Sequence, residues 1–459
     1  MQYLYQYQPL KTPISFYILL IISAAASFTI FHFDYYYSLA VIIFIHQFLS
    51  LYFKLGKAIP IRNLIGTMFS LNYLFSPVLM FSWLDAYVDY DEFQMRGDPE
   101  TYFAYAIPAI LLLIIGLYVF AGKHDEKLNT EKISEIIKDN PKLPFQLIMI
   151  GIISDVLRSF TPSELDYVMN NLGYLKVVGF LLSLFSGKFN VVLFILSYGI
   201  LIVRSLTSSM FNDLLNMLFF LAFIICYRYK PSHVFKIAGV IAGVMFIVFI
   251  QNIKFVLRAQ VTNSVSDLSK LNNVIEETKE ENAASTKEEK VIKIVTRINQ
   301  GWFTSSTMNY YNNGGFELEE GKHSLIILQT SVLPRILAPN RYNVGDRTLF
   351  NKYSGHFIDA GTSMALGILT DGFIDYGSRG VIVVFAFGLI LGVFIRIYKK
   401  MDDKYPLALI CSPICFFAVR PDTDTYGALG ALIKTTFILW GFLYCLNKYY
   451  LKSSNKLVT

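Results

Sequence analysis

The sequence predicts an all-α polytopic integral membrane protein, with about twelve transmembrane helices (about 11–14) and one large extracytoplasmic loop. Three observations predict it. Of 459 residues, 54% are hydrophobic and only 16% charged, with a mean hydropathy of +0.46, whereas soluble domains carry about 25% charged residues. Apolar runs close to the roughly 20 residues that cross a bilayer recur along the chain. Connections rich in Lys and Arg alternate with connections poor in them.

The runs place spans near 14–31, 36–53, 63–83, 102–121, 144–160, 171–186, 189–205, 210–227, 235–256, 380–397, 405–419 and 426–446. The opening MQYLYQYQPLKTP lacks a strongly basic start, and the first run lacks a small-residue cleavage site, so that run reads as a retained span. One set of connections holds Lys54, Lys57 and Arg62, then five lysines between 123 and 142, then Arg228, Lys230 and Lys236, then Arg396, Lys399, Lys400 and Lys404. The alternate set includes DAYVDYDEFQMRGDPE, with six acids and a single arginine. The positive-inside rule then puts both termini of this multi-pass chain in the cytoplasm. Three regions follow: an N-terminal bundle of about nine spans over 1–256, the extracytoplasmic loop over 257–379, and C-terminal helices with a tail over 380–459.

Other features exclude function classes. The net charge of +6 comes without a dense basic patch, so no nucleic-acid partner is expected. Cys226, Cys411, Cys415 and Cys445 all fall in or beside apolar runs and read as small packing residues. GxxxG pairs at Gly239/Gly243 and Gly388/Gly392 read as close helix packing. Asp155 and Arg158 read as partners across a short span, and intramembrane charge of this kind often marks function.

The outer face carries an unexpected burden of arginine: Arg96, Arg158, Arg204, Arg258, Arg297, Arg335, Arg341, Arg347, Arg379 and Arg420. Orientation bias would place fixed cations on the other side. Guanidinium clamps phosphate with two parallel hydrogen bonds, so a pyrophosphate-bearing lipid suits the cluster. Nearby Asp346, Asp359, Asp371 and Asp375 offer the plainer reading, arginines neutralised by loop carboxylates. LPRILAPNR, at 333–341, is too irregular for a helix and is the densest part of the group.

That stretch, followed by GTSMALGILTDGFIDYGSRG and the glycine-bearing span VIVVFAFGLILG, resembles the bacterial oligosaccharide repeat-unit polymerases, the O-antigen polymerase (Wzy) family. Pro334, Arg335, Pro339, Arg341, Gly361, Thr362, Ser363, Gly377 and Gly380 carry the resemblance. It implies a glycosyltransferase-C-like membrane enzyme that needs no cofactor and no metal. A polyprenyl-pyrophosphate-linked glycan would be the donor, and a polyprenyl-pyrophosphate-linked repeat unit the acceptor. The bilayer and a chain-length regulator protein are the further partners it implies. Arg335, Arg341, Arg347, Arg258, Arg204, Arg379, Arg420 and Tyr342 are then the pyrophosphate- and glycan-binding residues.

Attack by the acceptor hydroxyl needs a base, and a group titrating near neutrality suits it. His356, in KYSGHFIDAGTS, is the histidine nearest the signature, with Asp359 beside it as alternative base or orienter and His323 as second choice. The Asp-x-Asp spacings of Asp422/Asp424 and Asp89/Asp91 also suit a metal, though either pair equally suits neutralising arginines. Tyr310, Tyr311, Tyr342 and Tyr353 could stack sugar rings. A ligase using the same donor and a flippase for lipid-linked oligosaccharide are the competing functions. A flippase would be expected to show two related halves, which this sequence lacks.

Overall fold

The computed structural model describes residues 13–29, 33–84, 93–122, 126–187, 189–208, 211–261, 287–333, 337–338, 341–343, 345–358 and 364–451. Among these the protein is helical throughout, and the only extended pairing is an isolated bridge between Leu55 and Ala58. Among the described residues, seven helical stretches are long and apolar enough to cross a membrane. The protein is therefore polytopic by length and composition.

The N-terminal part comprises α1 (Ile14–Thr29), α2 (Tyr35–Lys54), α3 (Ile61–Leu84) and α4 (Pro99–Ala121). Pro77 disturbs α3: it lacks an N–H and would clash with the carbonyl four residues back. That carbonyl, on Tyr73, accepts instead the Tyr102 hydroxyl at 2.8 Å, and the helix widens into π-turns at Leu71–Phe75 and Met80–Leu84. Next come a short amphipathic helix, α5 (Thr130–Asp139), then α6 (Leu143–Arg158), α7 (Ser163–Gly173), α8 (Leu175–Ser183), α9 (Val191–Leu206), α10 (Asn212–Tyr229) and α11 (His233–Val261). Beyond 286 lie α12 (Lys287–Ile298), α13 (Gly301–Asn312), α14 (Lys322–Val332), α15 (Arg347–Ser354) and α16 (Ile368–Tyr376). The chain ends with α17 (Val381–Lys404), α18 (Ala408–Phe416) and α19 (Thr425–Cys445).

The tightest packing joins α4 to α17. A Cβ on Gly388 would lie 2.4 Å from the Leu113 carbonyl oxygen, and one on Gly392 would lie 2.8 Å from that of Gly116. Further on, the Lys399 ammonium donates to the Ala121 carbonyl at 3.0 Å. The paired positions advance together, so the two helices run parallel, as the alternation of charged connections requires. The Gly388/Gly392 pair thus serves close packing, whereas the Gly239/Gly243 pair on α11 has open space around it.

The lysine- and arginine-rich connections meet at one end of the bundle. Arg62 and Lys399 both approach the buried Glu126 carboxylate, at 3.1 and 3.2 Å. Arg62 also donates to the Gly122 carbonyl at 2.8 Å, Lys236 to that of Leu55 at 2.7 Å, and the Tyr227 hydroxyl to that of Leu128 at 3.1 Å.

Two expectations are redrawn. The run at 405–419 yields only the nine-residue α18, about 13 Å long against a hydrocarbon core of about 30 Å. Pro413 sits inside it, and the Leu409 carbonyl that proline leaves without a partner accepts the Ser412 hydroxyl at 2.6 Å. Asp155 and Arg158 take different partners: Asp155 pairs with buried Lys176, while Arg158 grips Asp166 with two bonds of 2.6 and 2.8 Å.

Candidate functional site

Two interrupted stretches of chain meet beside α3 and α4. The first leads from α14 through 341–343 and 345–346 and α15 to α16, and the second is the turn-rich 417–424 between α18 and α19. The Tyr73 hydroxyl holds the Pro421 carbonyl at 3.1 Å, and the Tyr105 hydroxyl holds that of Leu369 at 2.7 Å. Gly367 has φ +77°, so the chain reverses there into α16. At membrane depth, irregular backbone persists only where protein satisfies it or it lines a polar cavity.

His323, 1% exposed, is at the centre of this junction. Its Nε2 lies 2.8 Å from Oδ1 of Asp371, and its Nδ1 lies 2.9 Å from the Tyr342 hydroxyl. The other oxygen of Asp371 accepts the Thr425 hydroxyl at 2.5 Å. One helical turn on, fully buried Asp375 accepts the backbone N–H groups of Gly321, His323 and Ser324 at 2.9, 3.1 and 2.7 Å, and also the Ser324 hydroxyl. Asp375 thereby caps the N-terminus of α14 with negative charge. The two aspartates of α16 fix this histidine by ring and by backbone.

The rings of Tyr342 and Tyr353 flank His323, with centroids 5.2 and 5.7 Å away. Glu319 accepts both the Tyr353 hydroxyl and the Lys352 ammonium at 2.6 Å. Those bonds hold its carboxyl below the usual value. Asp424, at the start of α19, accepts the Gly345 N–H at 2.6 Å. Burial pushes its carboxyl up to about 6, against the lowering effect of that bond.

His356 is buried too, with Nε2 3.2 Å from the Ser306 hydroxyl and its ring edge-on to Trp302. Of the arginines, Arg341 is half-buried beside Tyr342, whereas Arg347 and Arg379 are exposed. Arg420 is 3.1 Å from Asp422 and 3.8 Å from Asp213, and Arg204 donates to Asn170 at 3.2 Å. Asp422 and Asp424 therefore serve different partners. Arg335 and Asp359 lie outside the described residues, as do Asp89, Asp91, Pro334, Pro339, Gly361, Thr362 and Ser363. Arg258 lies on α11, but its side chain is outside them as well.

The structure thus brings Tyr342 together with a histidine that ranked second in sequence, and with Asp371, Asp375 and Thr425. No protein-family model, curated protein or solved structure matches the chain. The Asp371-x₃-Asp375 spacing was the available signal, since it sets both carboxylates on one helix face.

Proposed function

We propose that this protein is a bacterial inner-membrane glycosyltransferase that polymerises polyprenyl-pyrophosphate-linked repeat units at the outer face. One observation carries the reading: a buried histidine, held by a carboxylate, joins through Tyr342 to the arginine-bearing segment at the junction of two interrupted stretches. A pair of this kind is suited to accepting a proton, because Asp371 stabilises the imidazolium that forms and sets the tautomer.

In the proposed step, the acceptor hydroxyl oxygen attacks the donor's anomeric carbon. The bond from that carbon to the pyrophosphate breaks, and its electron pair leaves with the diphosphate. The acceptor's proton passes to the Tyr342 oxygen as the Tyr342 proton passes to Nδ1 of His323. Arg335, Arg341 and Arg347 carry the growing charge on the leaving diphosphate, the electrostatic role that usually dominates such transfers. Arg420 and Arg204, already engaged with Asp422, Asp213 and Asn170, orient glycan. His356 is the alternative base, and the pH profiles of the two histidine variants separate the assignments.

Twelve crossings with both termini cytoplasmic complete the proposal. In it, α18 and the turns that follow it together return the chain from the lysine-rich end to the start of α19. Purified protein given lipid-linked repeat unit in liposomes tests the function. Long glycans on lipid support it, transfer to a different acceptor supports a ligase, and relocation without new bonds supports a flippase.

A further inference from the structure

Helix α14 belongs to the region that sequence assigns to a solvent-exposed loop, yet its surface is wrong for water. Its inner face carries His323, Ile327, Thr330 and Ser331, all buried, and packs on α16 and α19. Its outer face carries Leu325, Leu328 and Val332, which are 56%, 46% and 56% exposed. Between Ser324 and Val332 there is no charged residue at all.

The neighbouring helix supplies the depth. From Thr425, α19 continues through a wide turn to Leu451 as one of the stretches able to cross a membrane. The Ser331 hydroxyl donates to the Tyr426 carbonyl at 3.1 Å, and a Cβ on Gly430 would lie 3.5 Å from the Ser331 carbonyl oxygen. The other end of α14 reaches Thr425 through His323 and Asp371. So α14 descends alongside the first turns of α19. Its eleven residues span about 16 Å, roughly half the hydrocarbon core.

The return limb meets the condition that lipid imposes. Irregular backbone at that depth must be satisfied by protein. The Tyr342 N–H donates to the Thr330 hydroxyl oxygen at 3.2 Å, the Gly345 N–H donates to Asp424 at 2.6 Å, and the Asn343 carbonyl accepts the Tyr426 hydroxyl.

We infer that α14 and the limb after it form a re-entrant element, dipping into the leaflet on the side of the α19 N-terminus. The hydrocarbon chains of that leaflet cover the Leu325–Leu328–Val332 stripe. The inference rests on α19 crossing the membrane and not on the glycosyl-transfer reading, so either can fail without the other.

Spin labels at Leu325→Cys, Leu328→Cys and Val332→Cys, with Cys226 and Cys445 replaced by Ser, test it in phospholipid nanodiscs. Labels at Arg347→Cys and Lys352→Cys serve as water-side controls. Molecular oxygen should relax the three stripe labels more than a water-soluble nickel chelate does, with the order reversed at the controls. Chelate dominating at all three stripe positions would overturn the inference. A second measurement does not depend on substituted protein. A photoreactive lipid should cross-link wild-type peptides covering 322–332 as well as those of α11. Cross-links on α11 with none on 322–332 would also overturn it.

Discussion

Replacing Asp371 by asparagine separates a proton-accepting role from a packing role. The carboxylate is 3% exposed and accepts two bonds, from His323 at 2.8 Å and from Thr425 at 2.5 Å. Asparagine keeps the shape and can still accept from the histidine while turning its amide toward the Thr425 oxygen. A hydrogen bond to a charged group contributes about 1.5–3 kcal/mol and a neutral one about 0.5–1.5. Exchanging two of them therefore costs about 2 kcal/mol, a modest share of the roughly 5–15 kcal/mol of a folded domain. Removing the support for a general base costs on the order of 10²–10⁴ in rate, or roughly 3–5 kcal/mol of barrier. The rate should thus fall much further than the folded fraction. The assay is chain growth on lipid-linked repeat unit at matched amounts of monodisperse protein, across mildly acid to mildly alkaline pH. Wild-type rate with an unchanged pH profile in Asp371→Asn would refute the pairing as part of the chemistry. So would a loss accounted for wholly by unfolded protein.

Three other outcomes are expected. The raised Asp424 carboxyl means the fold favours its protonated form. Its contribution to stability is full below the ordinary 3.8 and is lost as pH rises through about 6, on the order of 3 kcal/mol at most. Asp424→Asn should accordingly flatten the fall in Tm over that window, and an identical slope in thermal melts would contradict this. Arg335→Lys should lose on the order of 10²–10³ in rate at every pH, because a point charge lacks the two-pronged geometry, while keeping the wild-type acid limb. Chain growth should survive EDTA, since arginines hold the diphosphate in this account; activity lost and then restored by Mg²⁺ would move the weight to Asp422 and Asp424.

The helical architecture was legible because apolar length and cation spacing are local properties. Lys54, Arg62, Lys236 and Lys399 sort to one end of the bundle as their connections imply. The limits appeared where helix length depends on backbone breaks. The 405–419 run is apolar enough to span, but helix stops at Phe416 and the chain breaks into turns through Pro421. The site was half legible. Tyr342, singled out in sequence, does contact His323, whereas His356 was ranked ahead of His323 because it lies nearer the signature. No periodicity reveals that Asp371 would reach back across 48 positions to His323. Nor does sequence tell a carboxylate that neutralises arginine from one that holds a histidine or caps a helix, as Asp375 does. Arginines 158 and 420 show the same ambiguity, since both found carboxylate partners.

The most direct test of the central claim is single-component polymerisation. Purified wild-type protein, His323→Ala and His356→Ala are each placed in liposomes with lipid-linked repeat unit alone. The products are then resolved by length. The account predicts a ladder of lengthening lipid-linked glycans from wild type, a ladder retained by His356→Ala, and none above background from folded His323→Ala. A full ladder from His323→Ala, or unextended repeat unit from active-folded wild type, would contradict it.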